Sequence, residues 1–200
     1  MRCTFPLRRS SLVRGRPVPP HQPARTTADA QRQRQRWAVE TMAVAPHDHL
    51  LEIGCGRGTA VALVAERLTT GKIVAIDRAA TMARLAAERN ASHISAGRAE
   101  IRRAGFESAD LAACRFTKIF AVNVSLFWLG TATEQIERIR DLLAPGGVFY
   151  VFGERPTSAN ATGNVMSTER LLRAHGFRTT RSIVARGQSR LFTCVTGTPI

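Results

Sequence analysis

Three glycines at alternate positions, Gly54, Gly56 and Gly58, follow the apolar run His49-Leu50-Leu51-Glu52-Ile53 and precede a helical pattern from residue 59. Glycine lets the backbone turn sharply and lets a ligand approach the main chain closely. The helix that follows offers free N–H groups and the positive end of its dipole. Asp77 is the second residue suited to chemistry. It ends the β-branched run Lys72-Ile73-Val74-Ala75-Ile76, 23 residues after Gly54. A carboxylate there can accept hydrogen bonds from both hydroxyls of a ribose. Loop and acid together fit a ribose-bearing cofactor. Glu52, two residues before the first glycine, narrows the choice, because an acid is out of place beside a pyrophosphate and suits a cationic ligand better. The spacing G-x-G-x-G also differs from the G-x-G-x-x-G of dinucleotide sites. An NAD(P)-dependent oxidoreductase therefore stands as an alternative with both features against it.

Elements must hold these residues. A helix is expected over 28–45, with apolar contacts from Trp37, Val39, Met42 and Val44 and a stop at Pro46. Strands are expected over 49–53, 72–76, 99–103, 116–124 and 148–152. Helices are expected over 59–69, 79–97, 132–143 and 165–175, with Thr131 and Glu134 at capping-box spacing. Ala144-Pro145-Gly146-Gly147 reads as a turn and residues 153–163 as a loop. Two strands near 178–186 and 190–196, joined at Gly187-Gln188-Ser189, close the chain without a helix between them. Alternating strands and helices give parallel βαβ units, and the last pair gives an antiparallel hairpin.

The chain has 200 residues, 29 Lys and Arg, 15 Asp and Glu, and a net charge of +14. Such a charge points first to nucleic acid or an anionic surface. Its distribution weakens that reading. Residues 1–36 hold nine Arg against Asp29 alone, so +8 of the excess lies there and +6 in the rest. Residues 1–27, with Pro6, Pro17, Pro19, Pro20 and Pro23, read as a disordered basic leader: a solvated tail, a start placed too early, or a transit peptide. Residues 28–200 form the expected domain. Hydrophobic residues at 44% suit a globular chain, and no apolar run is long enough to span a membrane. The scattered Cys3, Cys55, Cys114 and Cys194 suit neither a zinc site nor a disulfide scaffold and fit the reducing cytoplasm.

Glu52-Ile53-Gly54-Cys55-Gly56-Arg57-Gly58, Asp77, and Leu142-Leu143-Ala144-Pro145-Gly146-Gly147 resemble motifs of the class I S-adenosylmethionine-dependent methyltransferases. The order of elements over residues 30–200 is similar to that family as well, closing hairpin included. The resemblance implies an α/β fold, a doubly wound Rossmann-like seven-stranded sheet, mostly parallel with a C-terminal antiparallel hairpin. It implies S-adenosyl-L-methionine as cofactor. Glu52, Gly54, Cys55, Gly56 and Gly58 would hold the methionine part, and Asp77 with Arg78 the ribose end. Gly105, beside Ala104, Phe106, Glu107 and Asp110, would meet the adenine, and Asn123 the methionine amino group. The chain departs from the common pattern after strand 3, and in having Phe116-Thr117 where many members carry Phe-Asp.

Methyl transfer from a sulfonium asks the protein for positioning and desolvation, and for a base only if the nucleophile must lose a proton. No catalytic base stands out. Phe127, Trp128 and Glu154 are candidate acceptor contacts, with Arg155 beside them, although Phe127 and Trp128 equally suit a core. His47 and His49 read as surface or helix-end residues, and Cys55 as unreactive. Asn123-Val124-Ser125-Leu126 lacks the Pro-Pro-aromatic run of amino-methylating DNA enzymes. It also lacks the nucleophilic Cys of cytosine carbon-5 enzymes and the acids of metal-dependent catechol enzymes. The expected activity is methyl transfer to an oxygen or nitrogen of a small molecule, without metal or membrane. The alternative is an RNA methyltransferase or a non-catalytic nucleic-acid-binding protein using the leader.

Overall fold

A computed structural model describes residues 27–128, 132–156, 161–186 and 190–200. The expected leader therefore lies outside the described residues except for Thr27, and so does the Gly187-Gln188-Ser189 joint. Seven strands run β1 (His49–Ile53), β2 (Lys72–Asp77), β3 (Ala99–Arg103), β4 (Phe116–Val122), β5 (Leu143–Pro156), β6 (Phe177–Arg186) and β7 (Arg190–Pro199). They form one sheet in the order β3-β2-β1-β4-β5-β7-β6. The first five are parallel, and β7 is antiparallel to both β5 and β6. The order reverses between β1 and β4, and open α/β sheets bind ligands beyond the carboxyl ends of the strands at such a reversal.

Among the described residues, six α-helices, α1 (Thr27–Thr41), α2 (Thr59–Ala65), α3 (Ala80–Arg89), α4 (Ala91–Ser95), α5 (Thr133–Leu142) and α6 (Ala161–Ala174), flank the sheet. Alternation along the strands supplies both cores. Leu51 and Ile119, partners in register between β1 and β4, turn to one face and pack with Phe127, Ile136, Phe149 and Leu172. Leu50, Phe120 and Phe152 turn to the other face and meet Trp37, Met42, Val61 and Phe192. Trp37 anchors α1 to this second face, with its ring edge-on to Phe152 at 5.5 Å and tilted on Phe192 at 5.4 Å.

Several expected boundaries change for physical reasons. The helix expected over 28–45 ends at Thr41, and Ala43 with φ 46 breaks it before Pro46 is reached. The single helix expected over 79–97 divides into α3 and α4 at Asn90, a buried side chain drawn toward the glycine loop. The cap of α5 is Ala132 with no side-chain bond, in place of the expected Thr131, which lies outside the described residues. The turn at 144–147 is absorbed into β5 as an irregularity, with the register to β4 shifting between Phe116 and Lys118. Much of the loop expected over 153–163 is likewise regular: β5 continues to Pro156 and α6 begins at Ala161, while residues 157–160 lie outside the description. No helix among the described residues is long and apolar enough to cross a membrane.

Candidate functional site

The chain leaves β1 at Ile53 and enters α2 at Thr59 through the glycine loop. Gly54, Gly56 and Gly58 all have positive φ, at 74, 54 and 70°. At Gly56 a Cβ would meet nothing within 4 Å, so this glycine leaves open space beside the backbone. At Gly58 a Cβ would lie 2.5 Å from Asn90 Nδ2 and 2.9 Å from Ala86 Cβ, so this glycine lets α3 close on the loop. Asn90 completes that contact. Its Nδ2 donates to Gly58 O at 3.0 Å and to Ala86 O at 2.8 Å. Asn90 is not among the residues expected from sequence; its one local signal is an amide side chain inside an Ala-rich helical run.

Asp77, at the end of β2, reaches across to the same loop. Its Oδ2 accepts from Gly56 N–H at 2.8 Å and its Oδ1 from Ala79 N–H at 2.9 Å. Each carboxylate oxygen has a second acceptor site left. Glu52 is 1% exposed, and its Oε2 is buried without a partner. Burial, with the Asp77 charge adding to it, pushes the Glu52 carboxyl up to about 8. Cys55 is buried in the loop, and burial together with the Glu52 and Asp77 charges pushes its thiol up. It stays a protonated thiol and offers no nucleophile.

A cleft of about 400 Å³ opens at the carboxyl ends of β1, β2, β3 and β4. Its walls are Ile53 and Gly54, Ile76 to Arg78, residues 104–107 after β3, and residues 123–126 after β4. Thus Gly54, Asp77, Arg78, Gly105 and Asn123 meet around one space, with Phe106 and Glu107 beside Gly105. Glu52 of β1 and Cys55, Gly56 and Gly58 of the loop are not among its walls. Asp110 turns away to a different surface depression, beside Arg115 and Asp141. Asn123 adopts a left-handed conformation with φ 58, which asparagine tolerates better than most residues. Its Oδ1 accepts from Glu154 N–H at 2.8 Å, tying the end of β4 to β5.

The three candidate acceptor contacts divide. Phe127 is fully buried and packs edge-on to Phe149 at 5.1 Å, so it belongs to the core and does not face an acceptor. Of the two readings open for Phe127, apolar packing selects the core. Trp128 is half-buried, with the Arg155 guanidinium 3.9 Å above its ring. Glu154 is not a free carboxylate, because Arg34 of α1 and Arg190 of β7 both bond to it. His49 opens β1, at the opposite edge of the sheet from the cleft. Among the described residues, no group of three or more His, Cys, Asp and Glu is arranged to hold a metal ion.

Comparison with known proteins agrees with this geometry. Residues 50–147 match a methyltransferase domain family. A trans-aconitate 2-methyltransferase from Paracidovorax citrulli is 32% identical over 127 residues, covering 60% of this chain and 45% of the relative. The chain thus spans less than half the length of that relative. Among solved structures, precorrin-6y C5,15-methyltransferase from Geobacter metallireducens superposes with a TM-score of 0.65 at 15% identity, over 83% of this chain and 87% of the other. The [4+2]-cyclase SpnF superposes with a TM-score of 0.68 at 16% identity, over 85% and 82%. Fold likeness therefore extends to a protein named for another reaction, whereas the matched domain and the sequence relatives agree on one. Residues 50–147 therefore carry a methyltransferase domain, on a fold shared with solved methyltransferases.

Proposed function

We propose that this protein binds S-adenosylmethionine in the cleft beside the glycine loop and methylates an oxygen of a small carboxylic acid, acting in the cytoplasm. The observation that carries the reading is Asp77, which holds the glycine loop while keeping acceptor capacity toward the cleft. Bound S-adenosylmethionine supplies a methyl group on a sulfonium. The residues suit that group. Asp77 accepts from the ribose hydroxyls, and Gly54 brings bare backbone to the cleft wall. The unpartnered Glu52 oxygen favours a cation nearby. Gly105 and Phe106 provide an apolar wall for the adenine, and Arg78 flanks the ribose end. Asn123 fixes the floor between cofactor and acceptor. The small-acid acceptor rests on the relatives named trans-aconitate 2-methyltransferase. The antiparallel β7 between β5 and β6 counts against the nicotinamide alternative.

The test is incubation of the full chain with S-adenosylmethionine and trans-aconitate, followed by mass spectrometry of the acid. The expected product is a monomethyl ester, with S-adenosylhomocysteine formed in equal amount. Calorimetric titration with S-adenosylhomocysteine separates the two parts of the proposal. No binding to the folded protein refutes the cofactor site, whereas binding without ester refutes this acceptor alone.

A further inference from the structure

Charge of both signs lies along the edge of the sheet that carries the cleft, with Arg78 in the cleft wall. Near the cleft the acids are Glu52, Asp77 and Glu107. Beyond Asn123 the same edge carries arginines. Because β6 runs parallel to β5 and β7 runs against both, Arg186 ends β6 and Arg190 begins β7 at this edge. Arg34 reaches it from α1. Arg34 and Arg190 each donate through Nη1 to Glu154, one to Oε2 and the other to Oε1. The Glu154 side chain is 5% exposed, that of Arg34 13% and that of Arg190 50%. Two guanidiniums around one carboxylate leave a net positive charge. A guanidinium has five donors in a planar fork, and Arg34 Nε is buried without a partner. The cluster adjoins the cleft through the Glu154–Asn123 bond.

Among the described residues the same edge is poor in bases. His47 and His49 lie at the start of β1, His93 lies in α4 ahead of β3, and His175 lies ahead of β6, all toward the other edge. Burial pushes the Cys194 thiol up to about 12. A carboxylate is already ionised at neutral pH and needs no base to become a nucleophile.

We propose that Arg34 and Arg190 form a clamp for a carboxylate of the acceptor, with Glu154 as the positioning residue that holds the two guanidiniums side by side. The proposal rests on the methyltransferase reading of the adjoining cleft. The clamp favours an acceptor with a second carboxylate, one held while the other is methylated. Charge-assisted bonds of this kind carry much of the affinity where they form.

Calorimetry on the full chain tests it, with tricarballylate and its trimethyl ester as probes and S-adenosylhomocysteine titrated in parallel. Tricarballylate binds the wild type, and its affinity falls about tenfold or more in Arg190→Gln. The ester does not bind. Because Arg34→Gln by itself leaves the buried Glu154 charge with one partner fewer, the second variant is the double change Arg34→Gln with Glu154→Gln, which also loses affinity. Glu154→Gln weakens tricarballylate binding and Glu154→Asp restores part of it; a lowered melting temperature with unchanged affinity overturns the positioning role. If S-adenosylhomocysteine binds but tricarballylate binds none of these proteins, or binds all of them equally, the clamp is wrong and the methyltransferase reading stands. If S-adenosylhomocysteine does not bind the folded chain, that reading fails and the clamp fails with it.

Discussion

Glu52→Gln replaces a buried carboxyl by a neutral amide of the same shape, so it isolates the proton that Glu52 holds. The folded protein keeps that proton to about pH 8, against an ordinary value of 4.5. A raised value means that the stabilising contribution is fully present below about pH 4.5 and is lost as pH rises through about 8. One such group changes stability by about 1.4 kcal/mol per pH unit inside that window. Between about pH 6 and pH 8 the wild type therefore loses roughly 2 kcal/mol from Glu52 alone. For a domain of this size that is several degrees of melting temperature. Thermal denaturation followed by circular dichroism at about pH 6, 7 and 8 reads it. The variant gains on the wild type as pH rises. Under the proposed function, cofactor binding has the matching sign, because a ligand ammonium group beside the loop would favour ionised Glu52. S-adenosylhomocysteine affinity rises toward about pH 8 in the wild type, with proton release, and is flat in the variant. Parallel melting curves for the two proteins across this range refute the reasoning.

The same loop gives two more outcomes. Asp77→Ala removes the acceptor of the Gly56 and Ala79 N–H groups, and S-adenosylhomocysteine affinity falls about tenfold or more by calorimetry. Asn90→Ala removes the bond to Gly58 O at a fully buried position, and urea denaturation reads a loss of about 1–3 kcal/mol.

The glycine loop, Asp77 and the order of strands were legible because each is written in consecutive residues. Gly54, Gly56 and Gly58 state their backbone requirement by being glycine, and the β-branched run before Asp77 states its strand. Asn90 was not legible, because its role depends on Gly58, distant in sequence and brought near only when α3 closes. For Phe127 the sequence leaves core and acceptor contact equally open, and the packing of Phe149 decides where the ring goes. Glu154 falls just after the strand expected over 148–152, whereas β5 continues through it to Pro156. That its carboxylate is bound by arginines from α1 and β7 is a tertiary fact that no local pattern carries. The capping-box spacing of Thr131 and Glu134 likewise gave way, with Ala132 capping α5.

The carboxylate of Asp77 joins two N–H groups on its own chain before any ligand arrives. The loop is thereby preorganised during folding. A nucleoside entering the cleft meets a backbone already set in its receiving shape, so little entropy is left to lose at this point, and recognition there is a docking of rigid partners rather than a mutual adjustment.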